Sequence, residues 1–236
     1  MKLSFPAFLR PLLPAVCGAL GLILRLRLDA ATDAKGLLPD PHPVNTALYI
    51  LAALTLGSLL LLYKSTPTAT KKAPPALAAW TCIAAGIGLL ACAYYHVTIS
   101  TIQLAPLAAV ASFLGALTFF AAAAMKFHRL APPYWIYALI TMILMVNTVA
   151  QCQVWGALPQ LQEYFYPLLA AVFCILTFYH KTLVAAGRDK SRPMAFFSQG
   201  AMFFSFASLN TPQWPMLLGL LIWVTVQTIP FQGKEA

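Results

Sequence analysis

The chain is short of charge, and shortest of negative charge. Its 236 residues contain six Asp and Glu against fifteen Lys and Arg, and charged residues make up 9% of the total. Soluble domains carry about a quarter charged residues, so there are too few here to cover a water-facing surface, which excludes a soluble helical protein. Cysteine is sparse as well. Cys17, Cys82, Cys92, Cys152 and Cys174 are an odd set, widely spaced, with no CxxC pair. That spacing excludes a disulfide framework or a zinc ribbon and leaves cysteine as a small apolar residue. GxSxG, HExxH, GxGD and Walker motifs are all missing, and with them the common hydrolytic and nucleotide-binding chemistries. No metal site and no cofactor is expected.

What is present is hydrophobicity: 61% of residues are apolar, with a mean hydropathy of +0.78. A helix needs about 20 apolar residues to cross a hydrocarbon core of about 30 Å. Stretches of that kind lie at 8–28, 44–63, 76–97, 104–125, 134–152, 164–184, 194–210 and 213–230. The sequence therefore predicts an all-α polytopic transmembrane helix bundle, 1–236, as a single integral membrane domain with eight spans. Seven remain if Thr211-Pro212-Gln213-Trp214-Pro215 is a kink and not a turn.

The cations are sorted along the chain. On the eight-span threading twelve of the fifteen Lys and Arg fall on one side, including Lys64, Lys71, Lys126, Lys181 and Lys190, and only Arg25, Arg27 and Lys35 on the other. Cytoplasmic loops retain positive charge, which predicts both termini in the cytoplasm. The excess of +9 then reflects orientation and anionic headgroups. Nucleic acid is not an expected partner, because no basic run with interleaved aromatics lies outside the spans. Arg25 and Arg27 stand between the first apolar run and any cleavage site, which favours a retained first span over a signal peptide. Three inner loops share a pattern, leaving a helix through Lys64, Lys126 or Lys181 and entering the next through Pro75, Pro133 or Pro193. Proline suits a first helical turn; the pattern fits repeated hairpins or ordinary span boundaries.

Polar residues inside apolar stretches are functional candidates because hydrocarbon penalises them. No Asp or Glu lies inside a span, which counts against proton- or sodium-coupled carriers that use midplane carboxylates. Arg25, Asp29 and Asp33 share a face if the first helix continues. His96 ends a small-residue stripe on the third span, without the spacing of a metal site. Tyr137, Thr141, Thr148 and Gln151 form a stripe on the fifth, with Asn147 beside it, and Ser198, Ser205 and Ser208 form one on the seventh, flanked by Gln199 and Asn210. These groups either bond neighbouring helices or line an outward-facing polar pocket. The candidate ligand-binding set is Arg25, Asp29, Asp33, His96, Asn147, Gln151, Glu163, Gln199 and Asn210.

The run Arg25-Leu26-Arg27-Leu28-Asp29, with Asp33-Ala34-Lys35-Gly36 and His42-Pro43, resembles the first outer loop of uncharacterised multi-spanning membrane proteins of anaerobic Gram-positive bacteria. That resemblance implies a bacterial plasma membrane. The long outer loop and the small residues Ala15, Gly18 and Ala19 also resemble substrate-binding subunits of vitamin importers, which have fewer spans. Three functions stay open, in this order. The first is a transporter-like or solute-binding protein taking a small polar or anionic solute. The second is a sensor or assembly partner, whose basic segment 185–193 meets a cytoplasmic protein or anionic lipid. The third is a membrane-embedded enzyme using His96 and outer carboxylates. In all three the lipid bilayer is the surrounding partner.

Overall fold

The computed structural model describes residues 9–31, 43–63, 73–100, 103–155, 164–188 and 191–229. Among these the chain forms eight α-helices: α1 (Leu9–Ala31), α2 (Pro43–Tyr63), α3 (Pro75–Thr98), α4 (Ala105–Phe127), α5 (Tyr134–Trp155), α6 (Phe165–Ala185), α7 (Ser191–Ala207) and α8 (Trp214–Thr228). Proline starts several of them. Pro75, Pro106 and Pro215 sit in the first turns of α3, α4 and α8, where the missing N–H has no partner to lose.

Six helices, α1 to α6, are long and apolar enough to cross a membrane. Their outward faces are apolar: Leu54, Leu61 and Val97 are 67%, 83% and 73% exposed. A continuous surface of that kind is prohibitive in water and natural in lipid. The last two helices match the expected stretches 194–210 and 213–230 to within a few residues but are not among the six. With 17 and 15 residues they are about 25 and 22 Å long, at or below the short end of what crosses a core of about 30 Å.

Helices α3, α4, α5, α6, α7 and α8 pack in sequence, and α8 returns to α3, closing a six-helix ring. Helices α1 and α2 lean on each other and on α7 from outside it. The middle of the ring is filled by aromatic rings from alternate helices. Trp223 of α8 stacks on Phe178 of α6 at 4.3 Å, and Phe119 of α4 meets them edge-on at 6.5 and 5.6 Å respectively. All three are buried, so the axis is plugged there.

The seating of α7 and α8 depends on glycine. A Cβ on Gly88 would overlap the Pro215 carbonyl oxygen, and one on Gly219 would lie 2.7 Å from the Ala84 carbonyl oxygen; α3 and α8 therefore touch backbone to backbone. On the other flank, a Cβ on Gly21 would lie 2.9 Å from that of Ala207. Both contacts sit ten residues before a helix end, Gly88 before Thr98 and Gly21 before Ala31. About 15 Å of α3 therefore continues past its contact with the start of α8, while on the α1 side the turn reaches Asp29, two residues from the helix end. The hairpin tip, 208–213, thus lies below the end of α3 and close to the end of α1.

Candidate functional site

The polar residues of α3, α4 and α5 meet at the end of the ring where the α7–α8 hairpin turns. Ser112 of α4 donates to Asn147 Oδ1 on α5 at 3.1 Å, and the Cys92 thiol of α3 lies against the same hydroxyl. One helical turn further along α3 and α5 come His96 and Gln151, both on the buried faces and 2% exposed; Asn147 is 1% exposed. The α4 residue facing this level is Ala108, fully buried, whose methyl leaves the larger side chains on either side of it. Both ring nitrogens of His96, the Asn147 Nδ2 and the Gln151 Nε2 have no hydrogen-bond partner among the described residues. A buried donor left unmade costs about 1–3 kcal/mol, so three side chains with this property on two packed helix pairs form an unusual cluster.

The other polar groups of the expected stripes are accounted for locally. Thr141 and Thr148 donate to the carbonyls of Tyr137 and Leu144, four residues back, and Ser198 donates to Ala195. Ser205 contacts the Cys174 thiol at 3.8 Å. Tyr137 faces the opposite end of the ring. These are packing roles, as expected of hydroxyls in apolar helices. Gln199 is buried on α7 with no contact that joins it to the cluster.

A second group gathers at the end of α1. Helix α1 runs three residues past the expected boundary, so Arg25 and Asp29 are both helical. Arg25 is buried, 6% exposed, with its guanidinium 5.8 Å from the centroid of the Tyr166 ring on α6. The Tyr166 hydroxyl in turn donates to the Leu48 carbonyl on α2 at 2.5 Å, tying α1, α2 and α6 together. Asn210, at the hairpin tip, donates to Asp29 at 2.6 Å. The Ser208 hydroxyl and Asn210 Oδ1 have no partner among the described residues.

The expected site thus divides into two flanks of one hairpin tip, with His96, Asn147 and Gln151 on the α3–α5 side and Arg25, Asp29 and Asn210 on the α1 side. Asp33, Glu163 and His42 lie outside the described residues, as do Asp189 and Lys190 of the basic segment. Among the described residues no three His, Cys, Asp or Glu side chains group as metal ligands do.

Sequence reasoning missed a cavity at the far end of the ring. It has a volume of about 500 Å³, and its wall includes Lys126, Arg129, Lys181, Tyr137 and Gln227. The lysines were legible as topogenic charge, and that explanation absorbed them. Their inward direction depends on ring closure, which no local pattern encodes. Compared with known protein families, curated proteins and solved structures, the chain has no match.

Proposed function

We propose that the chain is a transporter-like, solute-binding protein of the bacterial plasma membrane, with a pocket at the α7–α8 tip that opens opposite the basic loops. Both termini are then cytoplasmic, because a hairpin that enters and leaves from the basic face returns the chain to it, whether or not its tip crosses. The observation that carries this reading is the set of buried donors on His96, Asn147 and Gln151 without partners. All three present an N–H, and one imidazole nitrogen of His96 remains an acceptor, so the complementary solute is rich in acceptors, such as a carboxylate or an amide carbonyl, and has room for one donor. The start of α8 supports the same polarity. No side chain caps it, and a helix N-terminus favours negative charge. Helices that stop within the bundle commonly turn their ends toward substrate in transporters.

The test uses Gln151→Cys in a chain whose five native cysteines are replaced by alanine or serine. A small charged methanethiosulfonate applied to intact cells should modify position 151, while Lys190→Cys reacts only after permeabilisation. Modification of 151 only after permeabilisation, or not at all, overturns the outward pocket.

A further inference from the structure

The cavity at the basic end stands apart from the polar cluster and does not depend on the reading given to it. Its wall draws on all six ring helices and their connections, from Pro75 of α3 to Val226 of α8. It is therefore axial, and it faces solution at the end where the cations collect. A volume of about 500 Å³ is within the range of small-molecule sites, about 300–1,000 Å³.

Three cations from separate elements reach it, and no carboxylate is among the described residues of its wall. Lys181, near the end of α6, is held in place: its ammonium donates to Gln227 Oε1 at 3.0 Å and lies 5.8 Å from the centroid of the Tyr137 ring. Lys126 of α4 lies beside the buried Cys82 thiol. Positive charge gathered in a recess with low-dielectric walls concentrates anions.

Arg129 supplies an independent observation. Helices α4 and α6 end in the same capped turn. Leu130 donates back to Met125 and Arg129 to Lys126, just as Arg188 donates to Leu183 and Gly187 to Val184. The turn needs a left-handed residue. In α6 it is Gly187, with φ +84°, while in α4 it is Arg129, with φ +58°. Glycine adopts that conformation freely, whereas an arginine there is strained. The strained position puts a third cation on the cavity wall.

We propose that this cavity binds a small organic phosphate, with Lys126 and Lys181 on the phosphate oxygens and Arg129 over the mouth. Lysine is a common phosphate ligand, and an arginine fork matches the oxygen geometry. The apolar part of the wall, Ala78, Met194 and Val226 among it, would take the organic body. A phospholipid headgroup offers the same chemistry, and the experiment separates the two sources.

The full chain in phosphatidylcholine nanodiscs is titrated with phenyl phosphate by calorimetry, and with phenol as the uncharged control. Saturable binding of phenyl phosphate alone is expected. Lys126→Gln and Lys181→Gln should each weaken it about tenfold or more, the loss of one charge-assisted hydrogen bond. Arg129→Gly should weaken it severalfold without lowering the thermal midpoint, because glycine relieves the turn. As a check that needs no variant, phenyl phosphate should slow acetylation of Lys126 and Lys181 in the native chain and leave Lys64 unaffected. If phosphatidylglycerol nanodiscs abolish phenyl phosphate binding and protect the same two lysines, the headgroup is the occupant and the phosphate site stands. Binding in neither lipid, equal binding of phenol, or wild-type affinity in both lysine variants overturns the proposal.

Discussion

Gln151→Met is expected to stabilise the protein. Most substitutions at a position 2% exposed cost stability, so a gain is diagnostic. The side chain brings an amide Nε2 into the bundle with no hydrogen-bond partner among the described residues, and such a group costs about 1–3 kcal/mol. Methionine fills nearly the same volume with no polar atom and adapts to irregular space. The thermal midpoint in detergent should therefore rise by a few degrees, since about 1 kcal/mol moves a domain of this size by about 2–4 °C. His96→Leu should act in the same direction. Asn147→Leu should gain less, because Asn147 accepts from Ser112 and that bond is lost with it. Polar groups retained against stability are a mark of sites that serve function. A fall in midpoint for Gln151→Met would mean that protein groups hold the amide in the folded state, and the pocket reading would lose its support. Water in the pocket satisfies the amide in part and sets the gain at the lower end of that range.

The largest loss is expected at Trp223. It is fully buried and stacked on Phe178 with Phe119 at its edge, at a level where three ring helices send aromatics to the axis. Removing a buried tryptophan leaves a cavity and costs about 3–5 kcal/mol. Trp223→Ala should thus lower the midpoint by about 10 °C, and Trp223→Phe by much less. A second readout separates the plug from ordinary core packing. The Trp223 indole lies against the Cys82 thiol, which is fully buried. With the plug gone, Cys82 should react with small thiol reagents under conditions where the native chain stays folded and Cys174, buried elsewhere on α6, does not. Equal reactivity of Cys82 in Trp223→Ala and the native chain would show that the rings do not close the axis.

The helices were legible because their cause is local. Apolar runs at 44–63, 76–97, 104–125, 134–152 and 164–184 became α2 to α6 with shifts of at most three residues. The first was read as ending at 28, just before Asp29. The helix continues to Ala31, where Arg25 meets the Tyr166 ring and Asp29 meets Asn210, contacts from a helix and a turn far along the chain. The seating of α7 and α8 was not legible for a similar reason. Their apolar content suits two short spans, and only the fit of Gly88 and Gly219 against partner backbones fixes how far the hairpin rises. The polar stripe of α5 was visible, but its division was not. Thr141 and Thr148 bond their own helix, whereas Asn147 and Gln151 face α4 and its neighbours. That distinction depends on what stands opposite each residue.

The most direct measurement compares two residues of one helix at nearly the same depth. Asn147 faces the bundle, 1% exposed, and Met145 faces outward, 52% exposed. Nitroxides placed at each in turn, in liposomes, report contact with molecular oxygen, which partitions into lipid, or with a water-soluble nickel chelate. A label at 145 relaxed by oxygen and a label at 147 relaxed by nickel is the expected pair, with lipid outside and water within. Oxygen-type relaxation at both positions would mean that no aqueous pocket reaches Asn147, and nickel-type relaxation at 145 would mean that the outer face of α5 does not meet a bilayer.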